Sequence, residues 1–548
     1  MPTNPHSLIV ALAAMLALGA CSGDDNGNAG GEGGAGADGG ASGNGGAAGV
    51  GGAAGTAGNG GTGGTAGEGG ISGAGGAAGE GGTGGSRPEC TEPSDCDEGF
   101  CVMGSCEPEL PCTEAGLLFA VTEGGGPYTF ACDGPTTVTT SAVLELDVDV
   151  ILDGEGLLTI DGGGAHRVME IASDTVELRG LTISGGDADS GGGGIVHFGE
   201  DLTLVDCTLT NNVALRGGGG IEAQSETLTL LRTSFRDNVA VFEGGGALTI
   251  ESETVATITD SVFFRNSTPS RGGAILVRES TVTLANVELE QNTAELGGGG
   301  GIFIEDSEVT FQGLVTGSRS GIEGAGVFVA SGSALFVGSS LDRNSTSENG
   351  GAFFVAEGAT LEVRDSVLTG NLSNEGAAID NHGTVTLVNS SVYRNFQRNP
   401  GGAVQNRDGV LDVAYSTFAL HGGTEVGSGP AIANGTGTLS VKGSIVADSC
   451  SGNITTGGEN IESPGDTCRF GAGSDEPNVP TGALNLHAPA DNGGSTPTLA
   501  LGNRSVAIDG APISRCTDTR GEVLTSDQRG EPRPGGALCD IGAYEAQP

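Results

Sequence analysis

Between residues 195 and 435 one pattern returns about every 26 residues, and this period constrains the fold more than any other feature of the chain. A glycine cluster followed by an apolar residue ends at Ile195, Ile221, Leu248, Ile275, Ile302, Val327, Phe353, Ile379, Val404 and Ile432, in steps of 25 to 28 residues. A second marker keeps phase with it. An apolar residue three places before a polar one gives Leu209/Asn212, Phe235/Asn238, Phe263/Asn266, Leu289/Asn292, Val315/Ser318, Leu341/Asn344, Leu368/Asn371, Val392/Asn395 and Phe418/His421. Two markers locked to one period of this size describe stacked units that share a core.

The coil from Ile221 to Ala247 shows what one unit is. Ile221 and Ala223 point inward from a short strand, a turn follows at Ser225-Glu226, and Leu228-Thr229-Leu230 alternates at period two. A third segment carries Phe235 and ends at Asn238, and a variable loop leads to Gly244-Gly245-Gly246. Short strands with no segment of helical period between them predict an all-β chain, a parallel β-helix with three strands per coil. At about 4.8 Å per coil, ten such coils span roughly 50 Å. Asn212, Asn238, Asn266, Asn292, Asn344, Asn371 and Asn395 then form one column, whose amides are placed to bond the rungs above and below. A later inward column reads Asn381, Asn406 and Asn434, where earlier coils place apolar residues. The glycine clusters supply positive φ at sharp bends.

The Gly-Gly-Ala-Ile segments (Gly272 to Ile275, Gly401 to Val404) and Phe-x-x-Asn segments (Phe235 to Asn238, Phe263 to Asn266) resemble those of chlamydial polymorphic outer membrane proteins and of the pectin-lyase-like β-helix superfamily. Asp491-Asn492-Gly493-Gly494-Ser495-Thr496-Pro497-Thr498, the run Asp527 to Pro534 and the run Cys539 to Glu545 are similar to the close of bacterial surface proteins called choice-of-anchor Q proteins. The resemblance covers roughly residues 112 to 548 and implies a right-handed solenoid, the hand that parallel crossovers favour in any case.

Outside the repeats the chain divides by composition. Residues 1–20 contain a short apolar run, too short to span a bilayer, which ends in Leu18-Gly19-Ala20-Cys21. That ending resembles a bacterial lipoprotein signal and implies cleavage before Cys21 and acylation of its thiol, although no Lys or Arg precedes the run. An ordinary secretory signal is the alternative, and either places the protein outside the cytoplasm. Residues 21–86 are dominated by Gly and Ala and read as a disordered tether from the lipid anchor, with a mean reach of roughly 45 Å. In 87–112, Cys90, Cys96, Cys101 and Cys106 sit among few apolar residues, which predicts a two-disulfide knot of undetermined pairing. Cys112 with Cys132, Cys450 with Cys468, and Cys516 with Cys539 are read as local bridges, leaving Cys207 as a buried thiol at a position held by Thr or Ser in other coils. Residues 113–445 are assigned to the solenoid, opened by a helix at Leu117 to Val121, and 446–548 to a disulfide-bearing cap.

A formal net charge of −47 with a single lysine, Lys442, excludes nucleic acid as a partner and leaves the N-terminal lipid as the only membrane contact. No cofactor is implied. Calcium is compatible with the charge but cannot be assigned to residues, so the metal content stays open. The outward column of the second strand reads Thr203, Thr229, Thr257, Thr283, Thr310, Phe336, Glu362, Thr386, Asp412, Ser440. Glu362 and Asp412 stand two coils apart, about 9.6 Å, at the limit for an inverting carboxylate pair. The outward column of the first strand carries Leu276, Phe303, Phe328 and Phe354 in succession, an apolar stripe that either binds a protein or glycan at the cell surface or lies under a loop or the C-terminal segment. Next to it are Asp380, His382, Arg407 and Asp408, and Asp380-Asn381-His382-Gly383 faintly resembles a hydrolase Asn/Asp-His-Gly motif without the other segments such hydrolases need. The sequence favours a lipid-anchored adhesion module at the outer membrane or cell surface, monomeric by default. Its rival is a polysaccharide lyase or glycoside hydrolase acting on acidic glycans.

Overall fold

The computed structural model describes residues 100–102, 105–107, 109–421 and 429–548. The expected signal, Cys21, the expected tether, Cys90 and Cys96 lie outside the described residues, and around Cys101 and Cys106 of the expected knot only the backbone is described. There Phe100–Val102 pairs antiparallel with Ser105–Glu107, which sets Cys101 opposite Cys106.

From Leu110–Pro111 to Ile461–Glu462 the chain is an all-β parallel solenoid of about 12 turns. Its first face is a 13-stranded sheet running from Leu144–Leu146 to Cys450–Ser451. The second and third faces are the strands typified by Thr227–Leu231 and Ser234–Arg236. A fourth face adds to the three expected. The loop after each asparagine holds a short strand, such as Val239–Glu243 or Phe396–Gln397, and these make a 9-stranded sheet. Pairing also continues past residue 445, through Cys450–Ser451, Thr455–Gly458 and Ile461–Glu462.

Each corner is made the same way. A single residue adopts the left-handed conformation, and the next side chain turns inward to bond the backbone of a neighbouring coil. Asp237, Arg265, Gln291, Arg343 and Arg394 have φ between 54° and 56°, and each precedes a ladder asparagine. Asn238 donates through Nδ2 to the Leu209 carbonyl (2.9 Å) and to Asn266 Oδ1 (3.0 Å), while Asn266 Oδ1 also accepts the Asn238 backbone N–H (3.0 Å). The same triple bonding links Asn212 to Asn238, Asn266 to Asn292, Asn344 to Asn371 and Asn371 to Asn395, and all seven asparagines are fully buried. Ser318 is too short to continue the file, and its hydroxyl has no partner. At the top, His421 takes the asparagine's place and sets Nε2 2.9 Å from the Val392 carbonyl. The second amide column is also in place, with Asn381 bonded to Asn406 and Asn406 to Asn434, both at 2.7 Å.

A further ladder runs along the corner between the second and third faces. There Ser366, Ser390, Ser416 and Ser444 each accept the backbone N–H of the serine one coil below. Buried Cys207 belongs to this file, its thiol pointing at the Leu178 carbonyl, and burial pushes its pKa up to about 12. Between the ladders the interior is aliphatic, with a parallel ring stack at Phe235–Phe263 (4.6 Å) and an inclined one at Phe311–Phe336 (4.9 Å, 29°). Phe336 is therefore a core residue. Strand pairing sets Leu335 opposite both Thr310 and Glu362, so Leu335 and not Phe336 occupies the outward column.

His197 is the one interior imidazole on the first face's inward column, between Ile171 and Ala223. It is fully buried, its Nε2 has no partner, and burial lowers its pKa to about 4. The neutral ring is retained in the fold while the unfolded chain takes a proton below about pH 6.5, so the protonation penalty on folding is absent above that pH and grows as pH falls towards 4. His197→Leu is expected to raise stability by about 1 kcal/mol at pH 8, from relieving the unpartnered nitrogen. The gain grows by roughly 3 kcal/mol by pH 4 at about 1.4 kcal/mol per pKa unit. Thermal melts of both proteins across this range measure it, and parallel melting curves would rule it out.

Both ends of the core are closed. The helix Glu114–Glu123, N-capped by Thr113, buries Leu117, Ala120 and Val121, and the Cys112–Cys132 disulfide fastens it. At the other end the Cys450–Cys468 bridge brings Phe470 onto the same core. The rest of the C-terminal segment then folds back along the side of the last coils. Val479, Leu484, Leu501, Ala507, Leu524 and Ile541 pack against Val388, Ala414, Tyr415 and Ile445 of the solenoid, and Cys516–Cys539 ties the segment internally.

The two C-terminal motifs meet in this segment as a buried latch. Gln528 bonds Thr496 (2.9 Å) and accepts from Ser391 of the solenoid (2.6 Å). Arg529 is held by Asp527 (2.7 Å) and lies over the Tyr544 ring. Fully buried Arg533 sits 3.0 Å from Glu545, donates to the Gly542 carbonyl (2.8 Å) and to Asn389 of the solenoid (3.2 Å), and covers the Tyr415 ring.

Candidate functional site

The first face has the densest chemistry on the solenoid. Its outward column is far less open than alternation suggests. Leu276, Phe303 and Phe354 are 2%, 3% and 7% exposed, and only Phe328 is half-buried. The rings stack down the column, Phe303 on Phe328 at 4.9 Å and Phe328 on Phe354 at 4.7 Å, and His382 continues the file 5.4 Å beyond. The glycine-rich loops cover them. A Cβ at Gly298 would stand 2.4 Å from the Phe328 ring, and one at Gly350 would stand 2.9 Å from the Phe354 side chain, so glycine is what lets the loop lie flat on the rings. Arg271 adds its guanidinium over Phe303. What solvent meets is the crest of those loops, where Leu296 and Ile322 are 76% and 43% exposed on adjoining coils, with Phe242 at 54% lower down.

Ion pairs lie at both ends of the stack. Above it, Asp380 is fully buried and Arg407 bonds both its oxygens through Nε (2.9 and 3.2 Å) while reaching Glu375 with Nη2 (3.1 Å). Burial raises the Asp380 pKa to about 6 against the pull of Arg407. His382 Nδ1 meets Asp408 Oδ1 at 2.8 Å. The four titratable residues singled out here from sequence are therefore together, as two acid–base pairs. Below the stack lies a network that alternation did not reveal. Gln224 Nε2 donates to Glu222 (2.9 Å) and Glu251 (2.7 Å), and Arg278 joins Glu251 (3.4 Å) to Glu305 (2.9 Å). Glu222 is pressed against Gly191 and Gly217, and burial followed by repulsion from Glu251 raises its pKa to about 7. The available signal was the residue just past each inward position, where Gln224, Glu251, Arg278, Glu305, His382 and Arg407 share one file.

Comparison of the chain with protein-family models, curated proteins and solved structures finds no match to any of them. The chemistry of the molecule must then be read from its own geometry. Glu362 and Asp412 do not join the first-face group. They stand on the second face with Thr386 between them, beneath the C-terminal segment. Arg364 and Arg520 both ion-pair Glu362, Arg520 at 3.0 Å, and the two arginines also grip buried Asp518. Asp412 has its pKa raised by burial and lowered by the same Arg520. Among the described residues no group of three or more His, Cys, Asp and Glu side chains is placed to hold a metal ion.

Proposed function

We propose that the chain is a bacterial surface lipoprotein of the pectin-lyase-like type, displayed on a Gly-rich stalk, whose solenoid is a non-enzymatic interaction module for adhesion. The observation that carries this is the state of its acids. Glu362 is held between two arginines, Asp380 is bound at both oxygens by Arg407, and Arg407 is itself shared with Glu375. A lyase needs an unprotonated basic side chain and a hydrolase needs a free acid facing a free carboxylate, whereas these groups hold the coils and the C-terminal segment in register. The contact surface of this reading is the loop crest at Leu296 and Ile322 with half-buried Phe328 beside it, and its partner is a protein at the cell surface. The three disulfides among the described residues suit the oxidising compartment that such display requires.

The rival carbohydrate-active reading draws on the His382–Asp408 pair beside Phe354. Incubating the protein with a panel of uronic-acid polymers, with and without Ca²⁺, separates the two. The expected result is no new unsaturated ends absorbing in the ultraviolet and no new reducing ends. Release of either would retire the adhesion reading.

A further inference from the structure

The glycine turns that roof the phenylalanine stack continue down the first face, and there they enclose an acid. In strict register the outward column reads Glu170, Val196, Glu222, Thr249 and Leu276. A Cβ at Gly191 or at Gly217 would overlap the Glu222 carboxyl, so the group is held between the turns of two successive coils. Hydrogen bonds close these turns, with the backbone N–H groups of Gly192 (3.1 Å) and Gly193 (3.3 Å) both donating to the Gly218 carbonyl. Val196, directly below Glu222 in the column, is 1% exposed.

Among the described residues no ion pair reaches this carboxyl. The nearby cation, Arg167, is engaged by the turn instead. Its Nε donates to the Gly192 carbonyl (3.0 Å), its Nη2 to the Gly191 carbonyl (2.8 Å) and to Ser190 Oγ (2.7 Å), and its Nη1 to Glu170 (2.6 Å). Gln224 Nε2 lies between two acids, 2.9 Å from Glu222 and 2.7 Å from Glu251, and Glu251 has Arg278 at 3.4 Å. Asp189, Arg216 and Glu243 complete the surrounding charge from exposed positions on the segments that lead into the turns. Burial, then repulsion from Glu251, raises the Glu222 pKa to about 7, and the charge of Arg167 offsets this only in part.

We propose that Glu222 and Arg167 form a proton-operated catch: while Glu222 is protonated the turns stay closed over it, and loss of its proton draws Arg167 from the Gly191 and Gly192 carbonyls onto the carboxylate, releasing the turn and uncovering Val196. The enclosed site suits a neutral acid that keeps its bond from Gln224, whereas a carboxylate there stands beside Glu251 with no countercharge, and a buried unpaired charge is strongly disfavoured. Arg167 is the cation that can answer it with a small movement, and the bonds it gives up are those that hold the turn down. The closed form keeps its proton up to about pH 7, while an opened, hydrated carboxyl loses it near the ordinary 4.5. Opening therefore grows about tenfold per pH unit between those limits and levels off above 7. The catch stands independently of the adhesion reading.

The test is hydrogen exchange of the full chain followed by mass spectrometry between pH 5 and pH 8, corrected for the intrinsic pH dependence of exchange. Peptides carrying Gly192 and Gly193 are expected to lose about a hundredfold in protection from pH 5 to pH 7 and little more beyond, at about tenfold per unit. Peptides carrying Gly272 and Gly273, whose N–H groups bond the next turn in the same way, should show no such loss. Glu222→Gln, which keeps an oxygen for Gln224 and has no proton to lose, should hold the pH 5 protection throughout. Glu251→Gln removes the repulsion, so its plateau should arrive at a lower pH, and it carries the test if the first variant folds poorly. Constant protection in the unaltered protein, a loss that Glu222→Gln retains, a plateau that Glu251→Gln leaves in place, or an equal loss at Gly272 and Gly273 would overturn the proposal.

Discussion

Asn266→Ala is expected to lower the stability of the solenoid by about 4 kcal/mol, since each buried polar group left without a partner costs about 1–3 kcal/mol. The substitution strips the Asn238 backbone N–H of its acceptor, removes one of the two acceptors of Asn238 Nδ2, and leaves the Phe235 carbonyl without its donor. Asn238 and Asn292 on either side are fully buried, so water does not replace what is lost. Urea unfolding followed by far-ultraviolet circular dichroism measures the effect. The transition should also broaden, because stability in a stacked array is the sum of each unit and its interfaces, and a weak rung lets the two sides part. Exposed Thr283→Ala, on an outward strand position, is the control and should change stability by less than about 0.5 kcal/mol. Restoring the file where it is broken, with Ser318→Asn, should act in the opposite direction. Equal behaviour of Asn266→Ala and Thr283→Ala would show that the amide file does not hold the coils together.

The second large effect belongs to the latch. Arg533→Leu is expected to destabilise the C-terminal segment by about 3–5 kcal/mol, because it leaves a buried carboxylate at Glu545 without its countercharge. It also removes the donors to Gly542 and to Asn389, one of the bonds tying the segment to the coils. Limited proteolysis should then cut within residues 463–548 while the solenoid stays intact. The double variant Arg533→Leu, Glu545→Gln should recover part of the loss, since it removes the uncompensated charge while the single amide oxygen keeps one of the two backbone N–H donors, Gly535 or Asp540, that the two carboxylate oxygens accept. A double variant as fragile as the single would mean that the hydrogen bonds of Arg533, and not its charge, secure the segment.

Much of the fold is legible because each coil repeats the same local solution. A residue that tolerates positive φ, followed by an inward Asn or Ser, marks a corner wherever it occurs, and Asn266, Asn344 and Asn371 are fully buried in the file, as the ladder reading requires. The bridges Cys112–Cys132, Cys450–Cys468 and Cys516–Cys539 are short-range and follow from spacing. What escaped is set by distance or by register. Glu362 meets Arg520 across 158 residues, which no pattern within a coil reveals. Phe336 was placed on the wrong face because the strand Gly332–Val337 pairs one step out of the count used for the other coils. The cover over Phe328 and Phe354 comes from glycine loops, which carry no side chains to announce what they touch.

The closures at the two ends of the core have a consequence for how the molecule behaves in a crowd. An open terminal rung offers a full row of unpaired amides and carbonyls, the template on which fibres extend. Here the N-terminal helix occupies one terminus and Phe470, pinned by its neighbouring bridge, occupies the other. Among the described residues, neither end of the core therefore lies open as a template on which a second copy could continue the stack.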